Sequence, residues 1–148
     1  MEVKFVTTRA TPDFEPPQRM TDQSAAYDLY TCEGVWIKEG ETVEIPLGFR
    51  MEMVNPSFPV CAKIYSRSSQ AKRGIVVHAA PKIIDQDYRG EVVVPVKNEG
   101  EGNVWIYPHE RIAQMMLEPH LIGMWKWVEH EDLSETNRNG GFGSTGKF

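Results

Sequence analysis

Between Thr42 and Met53, the residues Val43, Ile45, Leu47, Phe49, Met51 and Met53 fall on every second position. Successive strand residues point to opposite faces, so a period of two puts all six side chains on one side of an extended chain. A helix would scatter them. The stretch predicts a strand pair or one long bent strand, preceded by a turn at Gly40 and broken by Asn55-Pro56. Other apolar runs are shorter and equally strand-like: residues 1–6, Ala25–Tyr30, Val35–Ile37, Phe58–Tyr65, Ile75–Val77, Val104–Tyr107, Arg111–Leu117 and Leu121–Val128. Thr11–Gln23 carries three prolines and reads as irregular loop. Ser66–Gly74 is the one short helix expected, with serines at its start and Gly74 as its stop. Many short strands with turns at short intervals predict an all-β sandwich or barrel rather than βαβ units.

A chain of 148 residues, 41% hydrophobic and 25% charged, suits one soluble domain with a real core. No apolar run approaches the ~20 residues of a membrane span. The opening Met-Glu-Val-Lys-Phe-Val lacks a long apolar segment with a cleavage site, so the chain is expected not to be secreted. A cytoplasmic location is expected, or a nuclear one for a eukaryotic or viral source. Cys32 and Cys61 make neither a disulfide framework nor a zinc site. The net charge of −5 argues against stable nucleic-acid binding. From Glu129 onward apolar residues nearly vanish. The expected division is a β domain over 1–128 and a polar arm over 129–148 that folds only against something else.

Five stretches carry candidate chemistry. In Ile83–Asn98, two apolar runs flank a polar turn ending in Gly90, the pattern of a β-hairpin with glycine in the turn. Asp85 follows two β-branched residues, so it is expected partly desolvated on a rigid element, which suits a general base; an ordinary turn aspartate is the alternative. Tyr88 could lay its ring beside whatever Asp85 addresses. Ser66-Arg67-Ser68-Ser69 sets a guanidinium and hydroxyls at the expected helix start, either an anion site or a serine-rich cap. Gly140-Gly141-Phe142-Gly143-Ser144-Thr145-Gly146 is either a phosphate-wrapping loop with an aromatic for a base or a disordered tail. Gln114, inside an apolar strand, donates to a phosphate or satisfies sheet backbone. Asp28, in Ala25-Ala26-Tyr27-Asp28-Leu29, is a site carboxylate or an arginine's partner.

Taken in order, Ala-Ala-Tyr-Asp-Leu, Arg-Ser-Ser-x-x-x-x-Gly-Ile, Ile-Asp-x-Asp-Tyr-Arg-Gly, Arg-Ile-Ala-Gln and Gly-Gly-Phe-Gly-Ser-Thr-Gly resemble the five motifs of the homotrimeric dUTPases. The resemblance runs from about Ser24 to Gly146. It implies a jelly-roll-like β domain, a homotrimer with sites at subunit interfaces, and a C-terminal arm closing over a neighbour's site. It implies hydrolysis of dUTP to dUMP and pyrophosphate, with Mg²⁺ held by the substrate phosphates and no direct protein ligand. By this likeness Asp85 is the general base, and Tyr88 packs under the deoxyribose. Arg67, Ser68, Ser69 and Gln114 bind phosphates, while Asp28 lies near the metal's water shell. The segment Ala79–Ile84, including Lys82, reads uracil; Phe142 stacks on it. Ser144 and Thr145 cradle the γ-phosphate, and Gly143 is a further nucleotide-binding position. Three positions depart from the family pattern. Ala26 replaces a glycine, and Ala79-Ala80-Pro81-Lys82 replaces a segment often holding asparagine or glycine. Arg138, expected at the γ-phosphate, stands one residue nearer Phe142 than the usual arm arginine, with Asn137 in that slot.

Arg-Ser-Ser also resembles dCTP deaminase, an enzyme on the same scaffold. That reaction needs a glutamate three residues before the asparagine, where this chain has Pro95, and Glu91 lies too near the turn. A β-sandwich binding protein, or a viral jelly-roll structural protein, would have no need of all five motifs.

Overall fold

We describe residues 1–8, 14–54 and 56–136 of the chain from a computed structural model. In chain order the elements are β1 (Glu2–Thr7), β2 (Tyr27–Tyr30), β3 (Val35–Ile37), β4 (Thr42–Pro46), β5 (Phe49–Val54), β6 (Val60–Ser66), α1 (Ser68–Ala71), β7 (Ile75–Val77), β8 (Lys82–Ile84), β9 (Val93–Asn98), β10 (Val104–Ile106) and β11 (Arg111–Pro119). A 3-10 turn, His130–Asp132, follows. The architecture is all-β, as the periodicity predicts. A four-stranded sheet has the order β2-β11-β6-β8 and a three-stranded sheet the order β4-β9-β7; β1 pairs with β5 and β10 with β3.

The alternation of Thr42–Met53 becomes two strands joined by a bend at Gly48, whose φ of +76° suits a residue without Cβ. β4 pairs with β9 and β5 pairs with β1, so the bend moves the chain from one sheet to another. Its apolar face still points inward throughout: Ile45, Leu47, Phe49, Met51 and Met53 all lie in the core. β9 repeats the logic, with Val94, Val96 and Asn98 buried and the residues between them half-buried. Asn98 is satisfied there by donating to the carbonyls of Ile37 (3.2 Å) and Gly102 (2.7 Å).

Four local expectations change. Ile83–Asn98 is not a hairpin: β8 pairs with β6, whereas β9 pairs with β4 and β7. Periodicity marks a strand but not its partner, and the polar segment between them crosses from one sheet to the other. Gly90 is not a left-handed turn residue. A Cβ there would stand 2.3 Å from the Tyr88 hydroxyl, so glycine is needed for close approach. The helix of Ser66–Gly74 shrinks to one turn, because Ser66 belongs to β6 and accepts a hydrogen bond from the Val77 N–H at 2.8 Å. Gly74 does end it, at φ +78°, with the Gly100 backbone 2.4 Å from where a Cβ would sit. Finally, Leu121–Val128 forms no strand. Leu121, Met124, Trp125 and Trp127 are each at least 91% exposed, so these side chains bury little surface within one chain. Among the described residues, no helix is long and apolar enough to cross a membrane.

Candidate active site

β2, β6 and β11 lie side by side, and their ends gather one cluster of side chains. Asp28 stands opposite Gln114, and Gln114 opposite Tyr65. Arg67 follows β6 in extended conformation, which carries its side chain to Asp28. Asp28, only 8% exposed, accepts from Arg67 Nε at 2.8 Å and Nη2 at 3.4 Å, and from Arg111 Nη1 at 3.1 Å. A buried carboxylate needs such pairing. Arg67 Nη1 also donates to the Arg111 carbonyl (3.1 Å) and to Ser69 Oγ (3.4 Å). Gln114 Nε2 donates to the Ser66 carbonyl at 2.8 Å, so the sheet-satisfying alternative describes its contact here. Asp28, Arg67, Arg111 and Gln114 line a cavity of about 710 Å³ with Met20, Ala26 and Met116. Ser68 is exposed beside it.

Behind this cluster lies a second layer that the sequence reading did not assign. Gln70, buried, donates to Glu110 Oε1 at 2.8 Å and to the Arg111 carbonyl at 2.9 Å. Arg73 is ion-paired with Glu110. Burial pushes the Glu110 carboxyl up, but donation from Gln70, the Tyr107 N–H and Arg73 outweighs it and holds the group below its ordinary value. Arg111 opens the Arg-Ile-Ala-Gln stretch three residues before Gln114, and a regular strand would put the two on opposite faces. A β-bulge between Arg111 and Ala113 changes that count and turns both toward Asp28's side.

Asp85 lies elsewhere. It lines a second cavity, also about 710 Å³, with Phe58, Gln86, Asp87, Arg89 and His120. The Asp85 carbonyl closes a turn with the Tyr88 N–H (3.1 Å), and Arg89 Nη1 ties that turn by donating to the carbonyls of Gln86 (2.8 Å) and Tyr88 (3.1 Å). Tyr88, 43% exposed, donates its hydroxyl to the Glu91 carbonyl at 2.9 Å. The expected desolvation of Asp85 is not met in one chain, where the residue is exposed. Register measures its distance from the cluster. Ile84 faces Ala62 and Lys82 faces Ile64, so Asp85 comes level with Cys61, while Arg67 stands six residues further along. At ~3.3 Å per residue the two are roughly 20 Å apart. Ile84 is buried and Lys82 half-buried on the way. Ala79 turns the corner from β7 to β8 with φ +55°. Arg138, Phe142, Gly143, Ser144 and Thr145 lie outside the described residues.

A family model described as dUTPase matches residues 13–146. The chain belongs to the dUTPase family. It is 37% identical to the deoxyuridine 5'-triphosphate nucleotidohydrolase of Tolumonas auensis over 99% of this chain and 97% of that one. The enzyme of the same name from Escherichia coli is 34% identical, again over 99% and 97%. Among solved structures, a Staphylococcus bacteriophage 80alpha dUTPase with dUPNHPP superposes with a TM-score of 0.85 at 21% identity, covering 98% of each chain. A phage phi11 dUTPase, whose structure concerns coordination of a structural Mg(II) ion, gives a TM-score of 0.77 at 18% identity over 90% of this chain and all of that one. The jelly-roll-like dUTPase fold is therefore established for this chain. In this dUTPase the four described motifs divide into two groups: the Asp28, Arg67 and Gln114 motifs meet at one cavity, and the Asp85 motif faces another.

Proposed function

We propose that this chain hydrolyses dUTP to dUMP and pyrophosphate by attack of water on the α-phosphate, at sites completed only where copies of the chain meet in a homotrimer. Such an activity keeps uracil out of DNA and supplies dUMP for thymidylate synthesis. The observation that carries the shared site is the separation of Asp85 from Arg67 along β6. A base and a phosphate-binding arginine roughly 20 Å apart cannot serve one α-phosphate, since reacting groups must lie within hydrogen-bond reach. A second copy can bring its Asp85 to the Arg67 cavity of the first. The largely exposed apolar stretch Leu121–Trp127 supports assembly, because Leu121, Met124, Trp125 and Trp127 are each at least 91% exposed in one chain.

In this reading Asp85 takes the proton of the attacking water, and its desolvation comes from the second copy. Tyr88 offers the deoxyribose a flat ring fixed by the Glu91 carbonyl, which leaves no space for a 2′-hydroxyl. Arg67, Ser68, Ser69 and Gln114 receive phosphate oxygens, and the backbone of Ala79–Ile84, with Lys82, reads uracil. The arm, residues 129–148, brings Phe142 to the base and Arg138, Gly143, Ser144 and Thr145 to the γ-phosphate. Catalysis is otherwise positioning and charge neutralisation. Mg²⁺ brought with the substrate would supply part of that neutralisation. Both Asp28 oxygens are already engaged by guanidinium groups.

The test offers dUTP, dCTP, dTTP and UTP separately with Mg²⁺ and assays pyrophosphate and ammonia. Pyrophosphate from dUTP alone is expected. Ammonia from dCTP would replace this reading with deamination, although Pro95, paired with Glu44 in β9, offers no proton-transfer group there.

A further inference from the structure

The Tyr88 ring is held at its far end. The residue is 43% exposed, and its hydroxyl donates to the Glu91 carbonyl at 2.9 Å. Another tie from the same turn, Arg89 to Glu52 at 3.3 Å, joins two side chains about half exposed and holds little. The direction of the ring therefore depends on where the Glu91 carbonyl is fixed.

Glu91 stands at a junction of three segments. Gly48 belongs to neither β4 nor β5, so its N–H lies outside both ladders. Glu91 Oε1 accepts from that N–H at 3.1 Å and from Thr8 Oγ1 at 2.8 Å. Thr8, just past β1, donates its own N–H to the Gly48 carbonyl at 2.7 Å. One carboxylate oxygen thus joins the end of β1, the bend and the approach to β9. The next residue, Val92, is fully buried and straddles the same bend. Its carbonyl accepts from the Leu47 N–H and its N–H donates to the Phe49 carbonyl, each at 2.9 Å. The Val92 N–H and the Glu91 carbonyl share one planar peptide group and point opposite ways. Phe49 pins that plane at one end. The Glu91 side chain pins the Cα from which the plane starts, so the carbonyl cannot swing.

We propose that Glu91 is a positioning residue for sugar selection: by gripping the bend at Gly48, its carboxylate fixes the carbonyl that aims the Tyr88 ring. This rests on the reading that Tyr88 packs under the deoxyribose. Excluding a 2′-hydroxyl is steric, so a ring free to tilt makes room for it and a ring tied at its hydroxyl does not. Glu91 acts without touching the substrate, through a side chain whose own contacts hold it in place.

The test compares kcat/KM for dUTP and for UTP in wild type and variants. Glu91→Ala should lower the preference for dUTP about three- to fivefold, chiefly by a gain on UTP, as for a loosened steric contact. Glu91→Gln keeps an oxygen acceptor at the same reach and should stay within about twofold of wild type. Glu91→Asp, one methylene shorter, is the milder variant and should fall between them. In a Tyr88→Phe background, Glu91→Ala should change the preference no further, because the hydroxyl through which it acts is gone. Reduced urea stability of Glu91→Ala with an unchanged preference would make the residue structural alone and overturn the proposal. So would a loss of the same size with and without the Tyr88 hydroxyl. If Tyr88→Phe and Gly90→Ala also leave the preference unchanged, the reading of Tyr88 is the premise that failed, and the proposal falls with it.

Discussion

Asp28 holds Arg67 at two points, Oδ1 to Nε at 2.8 Å and Oδ2 to Nη2 at 3.4 Å, while the second oxygen also receives Arg111. The carboxylate is therefore a clamp on two arginines before it is anything else. Asp28→Asn leaves two guanidinium groups facing a neutral amide in a half-buried site. A loss of roughly 2–4 kcal/mol in urea unfolding is expected, below the full cost of a buried orphan because Arg111 is partly hydrated. The KM for dUTP should rise with it.

Asp85 is exposed in one chain and makes no side-chain hydrogen bond with another described residue, so Asp85→Asn should leave stability within about 0.5 kcal/mol. Loss of a general base should nonetheless lower kcat by about a hundred- to ten-thousandfold. Unchanged turnover would remove Asp85 from the chemistry.

Mixing two inactive variants tests the shared site directly. On the proposed reading, Asp85→Asn and Arg67→Ala should each abolish turnover alone. In an equal mixture, refolded together, a shared site would take its base from one copy and its arginine from another. Half of each are intact, so about a quarter of wild-type activity should return. A site housed in one chain would recover nothing.

The Tyr88 ring owes its position to Gly90, where a Cβ would meet the hydroxyl at 2.3 Å. Gly90→Ala must displace the ring. The preference in kcat/KM for dUTP over UTP should fall by about tenfold, as for a lost steric contact in a pocket. Tyr88→Phe keeps the ring and loses only the bond to the Glu91 carbonyl, worth about 1 kcal/mol at most, so its preference should fall less.

Glu110 predicts a pH response. Although burial raises its pKa, its three donors prevail and hold it below the ordinary 4.5. Folding therefore depresses its pKa. The stabilisation is present above the unfolded value and is lost as pH falls through the folded one. Urea unfolding from neutral pH down to about pH 3 should show stability falling below pH 4.5, less steeply in Glu110→Gln.

Strand identity was legible wherever a sheet has one buried face, as in Thr42–Met53 and Val92–Val96. Strand partners were not. Ile83–Ile84 and Val92–Val96 look like a hairpin because they are close in sequence, yet each buries its apolar face in a different sheet. Asp28 and Arg67 were legible as candidates, since the sequence reading allowed Asp28 to be an arginine's partner. Arg111 stayed hidden behind a bulge that breaks the period-two count. Gly90 was recognised as necessary for the wrong reason: the neighbouring ring needs its space, not a left-handed backbone.

The bare stretch Leu121–Val128 has a consequence for how the protein comes into being. The ribosome delivers it after every strand from β1 to β11, so the adhesive tryptophans emerge only once a body exists for a sister chain to meet. Dilute newborn chains should then be vulnerable, and rapid encounter protective. In the proposed assembly, abundance itself should favour solubility, the reverse of the usual hazard of overexpression.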